Sequence, residues 1–246
     1  MESYICNTIS QSQIKRIRSL SQKKYREESG FFVVEGEKMV NELLCSGFVI
    51  DSIFKRDDIG EKAMSQISNL TTPSPILAVV KIPDNKELLE NHRIKGLSLA
   101  LDSISDPGNM GTIMRIADWF GIDTVYACGH TVDIYNSKVV QASMGAIFRV
   151  RVIYAEIDRV ISDYNCAGKP VYGTFLEGES IYQAELSAEG LIIMGNESGG
   201  ISAGLEKNIE RKVFIPPYPV SNLTPESLNV AVATGIICAE FRKREA

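Results

Sequence analysis

The chain has 246 residues and a formal net charge of −5, and 44% of its residues are hydrophobic. This length accommodates two globular domains with buried cores. The sequence offers no apolar stretch near the about 20 residues of a membrane span, its N-terminus MESYICNTIS lacks a signal-peptide pattern, and its five cysteines lack metal-ligand spacing, so we expect free thiols in the cytoplasm.

The first half of the chain alternates short helical and strand patterns. Helical patterns cover residues 12–20 and 37–45, and apolar strand patterns cover 30–34, 49–54 and 76–81. The charged, apolar-poor stretch DNKELLENHRIKG (84–96) is the best candidate for a domain boundary. We therefore predict domains at 1–90 and 96–246.

A basic run, KRIRSLSQKKYR (15–26), carries six Lys or Arg residues and no acid, although the chain as a whole is acidic. The run is either a solvated helix face or an arm that follows a phosphate backbone. The candidates for RNA contact in it are Lys15, Arg16, Arg18, Lys23 and Lys24.

The second half alternates strands and helices more regularly. Strand patterns cover 97–101, 124–127, 148–153, 171–174, 191–194 and 213–215; helix patterns cover 109–120, 137–143 and 224–242. Short apolar strands between helices predict an α/β fold whose mostly parallel sheet is covered on both faces. Ligands in such sheets bind beyond the carboxyl ends of the strands.

Three loops there are rich in Gly, Pro and Asn. In DSISDPGNMGTIMRIADWFG (102–121), Asn109 fits a helix N-cap and Arg115 points away from the apolar helix face. The alternative is a capped helix with one exposed arginine.

The second loop is MGNESGGIS (194–202), in which the glycines allow tight turns and Glu197 can reach a hydroxyl or amine. The third is TPESLNVAVATGI (224–236), where Thr224, Pro225 and Glu226 predict a helix start that places Ser227 and Asn229 in or beside the first turn. A plain glycine loop and simple capping are the structural alternatives.

The three loops exclude some chemistry. The only histidines, His92 and His130, lie outside them, and so do the cysteines. Serine–histidine hydrolysis, histidine-rich metal sites and a cysteine nucleophile are therefore not expected, and we predict no metal.

The ordered segments DPGNMGTIMRIADWFG, QASMGAIFRV, IIMGNESGGIS and FIPP…ESLNVAVATGI resemble the motifs of the SpoU (TrmH-like) RNA ribose methyltransferases of the SPOUT superfamily. Upstream, GFFVVEGEKMVNELL and TPSPILAVV are similar to the L30e-like domain often fused ahead of it. The resemblance implies a small N-terminal L30e-like α/β domain that binds RNA, and a C-terminal parallel-sheet domain closed by a deep trefoil knot. It also implies a homodimer formed through the knotted domain, with both subunits completing each site.

The resemblance also implies methyl transfer from S-adenosylmethionine to a ribose 2′-hydroxyl. By motif position the catalytic candidates are Asn109, Arg115, Glu197, Ser227 and Asn229. The cofactor would lie near Thr174, Gly195, Asn196, Ile215 and Leu228. One departure is IPPYPVSNLTPES, where Pro217 stands in place of the family's Met, a following Gly is absent and the link is longer.

An arginine essentially never deprotonates in proteins, so Arg115 is expected to stabilise the phosphate or developing alkoxide, with the proton leaving to a phosphate oxygen or water. The L30e-like domain favours ribosomal RNA over transfer RNA. The alternatives are a transfer RNA methyltransferase, a base-methylating SPOUT enzyme and a non-catalytic RNA-binding protein of the same fold.

Overall fold

The structure, a computed structural model, describes residues 4–90, 92–218 and 227–243. By packing, the chain divides into two compact units, one of Met1–Asp84 with Asp133–Arg149 and one of Asn85–Val132 with Val150–Ala246. The predicted ranges 1–90 and 96–246 refer to continuous segments of sequence, and they remain a prediction.

The described residues contain nine strands and eleven α-helices. The strands are β1 (Phe31–Glu35), β2 (Ile50–Lys55), β3 (Ile76–Lys81), β4 (Leu97–Leu101), β5 (Thr124–Ala127), β6 (Arg151–Tyr154), β7 (Val171–Ser180), β8 (Gly190–Met194) and β9 (Arg211–Phe214). The helices are α1 (Gln11–Ser19), α2 (Lys23–Ser29), α3 (Glu37–Leu44), α4 (Arg56–Ile59), α5 (Glu61–Ile67), α6 (Asn85–Glu90), α7 (Pro107–Trp119), α8 (Ser137–Ser143), α9 (Ile157–Cys166), α10 (Ala203–Glu206) and α11 (Val230–Lys243).

The first unit is built on an antiparallel sheet with strand order β1-β3-β2. The first helix, α1, begins with a capping box, in which Ser10 and Gln13 satisfy each other's backbone N–H groups. Its inward residues Ile14 and Ile17 pack in one apolar cluster with residues of the sheet and of α5. The periodicity of the sequence therefore places the basic residues of α1 on its solvent side.

Arg26, the last residue of the basic run, does not share that exposure. Its side chain is only 2% exposed, and it donates to the Asp133 carboxylate at 2.6 and 2.9 Å and to the Leu20 carbonyl at 2.7 Å. A buried charge requires such partners, because it has lost its hydration. Arg26 therefore holds the segment Asp133–Arg149 within the first unit and is unavailable to a ligand.

The second unit is built on six parallel strands in the order β6-β5-β4-β8-β7-β9. Every residue of β4 and β8 is buried, as expected for central strands covered on both faces. Because all six strands are parallel, the loops that follow them emerge at one edge of the sheet. This confirms the predicted mixed α/β class with a parallel sheet.

Several predicted element boundaries are wrong. The strand expected at 148–153 covers only Arg151–Tyr154, because Ala146–Phe148 forms a 3-10 helix. The helices α2, α4, α5, α6, α9 and α10 were not predicted. Of these, α6 lies inside the stretch expected to be a linker, where the Asn85 side chain exchanges two hydrogen bonds with the backbone of Tyr154.

Within the described residues, the helices are too short or too polar to cross a membrane.

Replacing Arg26 with alanine should destabilise the first unit. The change leaves the Asp133 carboxylate and the Leu20 carbonyl without their buried donor, which we expect to lower the free energy of unfolding by about 3–5 kcal/mol. Urea denaturation measures this. Lys24→Ala on the same helix removes an exposed cation and should stay within about 0.5 kcal/mol; equal effects of the two changes would contradict the assignment.

Candidate functional site

Three residues from distant parts of the second unit meet at the side-chain amide of Asn109. Its Nδ2 donates to Oε1 of Glu197 at 2.7 Å, and its Oδ1 accepts from Nδ2 of Asn229 at 2.9 Å. Each of these residues was a candidate from a different one of the three predicted loops. The structure thus brings the three loops to one point, and Asn109 is the link between them.

Asn109 is not the N-cap of its helix, as the sequence had predicted. The cap is Asp106, whose carboxylate accepts the Asn109 N–H at 2.7 Å, and Pro107 occupies the first turn. Both Asp106 and Asn109 are residue types that cap helices, and Asp106 is the one followed by proline. Because Asp106 caps the helix, the Asn109 amide is free to bond to Glu197 and Asn229.

The last helix also begins later than predicted. Its cap is Asn229, whose Oδ1 accepts the N–H groups of Ala231 at 3.0 Å and Val232 at 3.3 Å. Ser227 and Leu228 precede the helix as exposed coil. The predicted start at 224–226 lies outside the described residues.

Arg115 lies on α7 six positions after Asn109, and its side chain is exposed. No hydrogen bond or ion pair of its guanidinium is found among the described parts of the chain. Trp119 follows one turn later on the same helical face and is 83% exposed. The helix therefore presents a free cation and a large aromatic ring to whatever lies outside the unit.

The glycine-rich loop after β8 is a tight turn. Asn196 and Gly200 exchange two backbone hydrogen bonds at 2.9 Å, and the Asn196 side-chain oxygen accepts from Ser198 and Gly199. An added Cβ at Gly195 would lie 2.6 Å from the Gly200 carbonyl oxygen and closer still to its carbon. Only glycine fits there, and Asn196 uses its polar groups to shape the loop.

The remaining cofactor candidates are Thr174 within β7, Ile215 directly after β9, and Leu228 just before α11. Thr174 on β7 is half-buried and donates to the Ile193 carbonyl at 3.0 Å. Ile215 directly follows β9 and is half-buried, whereas Leu228, just before the Asn229 cap, is 50% exposed. Because β8, β7 and β9 are parallel neighbours, Gly195 and Asn196 after β8 and Ile215 after β9 lie at the same edge of the sheet.

A partly buried polar cluster beside these loops was not predicted from the sequence. Asp102 and Ser103 follow β4, and Cys128 follows β5; Ser103 N–H donates to the Cys128 sulfur at 3.1 Å. Burial raises the pKa of the Cys128 thiol, but hydrogen bonds involving Thr131 and Ser103 outweigh it, so the pKa lies below its ordinary value. The signal available from sequence was the polar pair Asp102-Ser103 directly after the buried-type strand pattern 97–101.

The two histidines differ in their relation to this edge. His92 packs edge-on against Tyr126, and burial followed by the nearby Arg151 lowers its pKa. His130 is exposed in the loop after β5, which emerges at the same sheet edge as the loops after β4 and β8. Across the described ranges, no group of three or more His, Cys, Asp or Glu side chains is arranged to hold a metal ion.

The basic candidates of the first unit are all exposed, but they differ in their partners. Lys23 and Lys24 face Glu27 and Glu28 one turn along α2, at 3.6 and 3.8 Å. Arg16 lies 3.8 Å from Asp51 and stacks over the Phe31 ring. In the described part of the chain, Lys15 and Arg18 have no such acidic neighbour and lie three residues apart on one face of α1.

Comparison with known proteins places this architecture in a class. The family model of the SpoU rRNA methylase family matches residues 96–239, and the MRM3-like substrate binding domain matches residues 11–60. The chain belongs to the SpoU rRNA methylase family, and it carries a substrate-binding domain of the MRM3-like type.

Individual relatives extend over almost the whole chain. The 23S rRNA (guanosine(2553)-2′-O)-methyltransferase RlmP of Bacillus subtilis is 30% identical, with 94% of this chain and 96% of that protein aligned. A TrmH-family structure from Porphyromonas gingivalis superposes with a TM-score of 0.86 at 38% identity, covering 96% and 99% of the two chains. An AdoMet-bound rRNA methyltransferase from Sinorhizobium meliloti superposes with 0.86 at 26% identity, covering 99% of both.

Gly195→Ala should open the loop that carries Glu197. The added methyl group overlaps the backbone of Gly200 and Ile201, so we expect a loss of about 1–3 kcal/mol in unfolding free energy and faster amide exchange at Asn196 and Gly200. Urea denaturation and hydrogen exchange measure the two effects.

The matched control is Gly199→Ala in the same loop, because an added Cβ there has no atom within 4 Å. This variant should keep the native exchange pattern. Equal loosening by both changes would show that loss of glycine flexibility, rather than the close approach at Gly195, is the cause.

Proposed function

We propose that this protein transfers a methyl group from S-adenosylmethionine to a ribose 2′-hydroxyl of ribosomal RNA. The observation that carries the proposal is the bonded series Glu197–Asn109–Asn229, which joins one polar residue from each of three motifs beside the helix that bears Arg115. The relatives from Bacillus subtilis and Sinorhizobium meliloti, which are named as rRNA methyltransferases, support the same activity.

The proposed role of Arg115 follows from its chemistry. S-adenosylmethionine, when bound, supplies a methyl group already activated by its positive sulfonium. The protein then has to place the 2′-oxygen in line and stabilise the charge that develops as the hydroxyl proton leaves to a phosphate oxygen or water. A guanidinium remains protonated, so Arg115 would clamp a phosphate or the alkoxide by charge and paired N–H donors.

Glu197 and Asn229 fix the side-chain amide of Asn109. From this fixed position Asn109 would orient the ribose or Arg115. Ser227 is exposed two residues before the helix cap and would contact the cofactor or ribose. The catalytic roles of these residues are inferred from their meeting point and from the motifs they occupy.

The cofactor would lie along the edge formed after β7, β8 and β9. The residues present suit it: Leu228 and Ile215 offer apolar surface for a flat ring, while Thr174 and the Gly195–Asn196 turn bound the neighbouring strands. Asn196 would act through the shape of the turn, since its side chain already bonds to the loop backbone.

We also propose a homodimer through the second unit and a trefoil knot at its C-terminus. The exposed face of α7 with Arg115 and Trp119 supports the first, because large apolar side chains at the surface are typical of interfaces. The bond between Asn229 and Asn109, and the packing of α11 on α7, support a C-terminal segment seated deep in the fold. Five free cysteines favour a reducing, cytoplasmic compartment.

Arg115→Ala should abolish methylation while S-adenosylmethionine binds within about threefold of the wild type. Loss of a charge stabiliser in the transition state costs about 10²-fold or more in rate. Methyl incorporation into unmodified 23S ribosomal RNA measures the rate, and calorimetry measures cofactor affinity. Nuclease digestion of the product to nucleosides distinguishes ribose from base methylation.

Arg115→Lys keeps the charge but loses the paired donors, so it should retain an intermediate rate. If cofactor affinity falls as far as the rate in Arg115→Ala, the role assigned to Arg115 is wrong. If the wild type incorporates no methyl into ribosomal RNA, parallel assays with transfer RNA and RNA-binding measurements decide between the transfer RNA enzyme and the non-catalytic RNA-binding protein.

Replacing Lys15 and Arg18 together with alanine should weaken RNA binding and flatten its salt dependence. Each cation that neutralises a phosphate contributes about 0.7–0.9 to the slope of log affinity against log salt, so the slope should fall by about 1.5. Fluorescence anisotropy of a labelled ribosomal RNA fragment over a salt series measures this.

The matched control is the double replacement of Lys23 and Lys24, which already lie beside Glu27 and Glu28. We expect a smaller change in slope from this pair. An unchanged slope in both double variants would remove the basic run from the RNA interface, and equal changes would show that the neighbouring glutamates do not matter.

A further inference from the structure

A buried carboxylate lies beneath the candidate site and has no role in the chemistry above. Asp102, the residue after β4, is 5% exposed. Its Oδ2 accepts the Ser202 N–H at 2.7 Å, and its Oδ1 accepts the Ser103 hydroxyl at 3.0 Å and the Cys128 thiol at 3.9 Å. Among the ion pairs of the described residues none involves Asp102, so neutral donors alone compensate this buried group.

The bonds of Asp102 and Ser103 hold both ends of the glycine-rich loop. At the start of the loop, the Asp102 N–H donates to the Met194 carbonyl at 2.9 Å, and the Asn196 amide donates to the Ser103 carbonyl at 2.7 Å. At the end of the loop, the Asp102 carboxylate holds the Ser202 N–H. Residues 195–201, with Glu197 among them, therefore span two points fixed by 102–103.

The backbone at this point is held in an uncommon conformation. Ser103 has a φ of +63°, a region that residues other than glycine seldom adopt. Three hydrogen bonds maintain it. The Ser103 N–H donates to the Cys128 sulfur, the Ser103 hydroxyl donates to Asp102, and the Ser103 carbonyl accepts from the Asn196 side chain. Such a conformation persists only where the surroundings specify it, and functional sites are where it concentrates.

We infer that Asp102 is a positioning residue that fixes the 195–202 loop, and through it Glu197 and the cofactor edge, by accepting the hydrogen bond of the Ser202 N–H. The inference rests on the proposed function for what the loop binds. An acceptor role requires an oxygen facing Ser202 and does not require the negative charge. If Asp102 acts as a hydrogen-bond acceptor, the isosteric variant Asp102→Asn should keep its function; if Asp102 acts through its negative charge, this variant should lose it.

The test compares Asp102→Asn and Asp102→Ala in the full-length protein. In Asp102→Asn the carboxamide oxygen can still accept the Ser202 N–H, and its NH₂ can donate to the Ser103 oxygen. We expect cofactor affinity within about threefold of the wild type for Asn, and at least about tenfold weaker binding for Ala. The KM for RNA should change in neither variant, whereas the KM for S-adenosylmethionine should rise in Ala.

Binding of S-adenosylmethionine and of S-adenosylhomocysteine by calorimetry separates the hydrogen bonds from the charge, because only the first ligand carries a sulfonium. Equal losses for both ligands in Asp102→Ala support the inference. A loss confined to S-adenosylmethionine, and as large in Asn as in Ala, would overturn it in favour of a direct charge effect. Asp123→Asn, an exposed aspartate before β5, controls for removal of one charge.

Hydrogen exchange makes the outcome independent of the proposed function, since it needs no cofactor. Asp102→Ala should increase exchange at Gly200 and Ser202 by at least about tenfold, and Asp102→Asn should not. Unchanged exchange in Asp102→Ala would overturn the inference even if methylation were lost. If the wild type binds neither ligand, the proposed function fails, while the exchange result still decides the role of Asp102. If Asp102→Ala loses protection from exchange throughout the protein, the Asp102→Asn variant decides. Faster exchange at Gly200 and Ser202 in Asp102→Asn would then overturn the inference.

Discussion

The site depends on the two hydrogen bonds that the side-chain amide of Asn109 makes with Glu197 and Asn229. An amide offers one donor end and one acceptor end, and here the donor end meets a carboxylate, Glu197, while the acceptor end meets a second amide, Asn229. An aspartate at this position would replace the donating nitrogen with an oxygen, so two carboxylate oxygens would face each other and repel. The residue type therefore follows from the order of partners, independently of any contact with substrate.

This arrangement uses Asn229 twice. Its oxygen caps α11 by accepting two backbone N–H groups, and its nitrogen donates to Asn109. Capping fixes the rotamer of a side chain at the first turn of a helix. The Asn229 side chain is consequently oriented by its own helix, and its hydrogen bond in turn orients the Asn109 amide on α7.

The sequence predicted the central strands and the starts of α3 and α8 well, but it misplaced the starts of α7 and α11. Buried parallel strands such as β4 and β5 are short apolar runs between polar loops, and both were predicted with the observed bounds. The start of a helix depends on which of several cap-forming residues near it serves as the N-cap. Asp106 and Asn109 are three residues apart and both can cap, so only the fold decides between them.

The helix α9 shows a pattern that was legible, since Ile157, Val160, Ile161 and Tyr164 recur at helical spacing. Asp102, in contrast, is defined by partners about 25 and 100 residues away, Cys128 and Ser202. Its role depends on the parallel pairing of β4 with both β5 and β8, which no local pattern reports. In the same way, Arg26 looked like its basic neighbours until Asp133 was placed beside it.

The α7–α11 pair explains how the site can be rigid and still leave Arg115 free. At the N-terminal ends Asn109 bonds to Asn229, and near the C-terminal ends Arg242 donates to the carbonyls of Phe120 at 2.8 Å and Gly121 at 3.2 Å. Cations at a helix C-terminus also favour its dipole. Both ends of α7 are therefore tied to α11, whereas the Arg115 side chain has no hydrogen bond or ion pair among the described residues. The proposed contact of Arg115 with an RNA phosphate would use this arrangement, because the tied helix positions the guanidinium while its unbonded side chain can release the product.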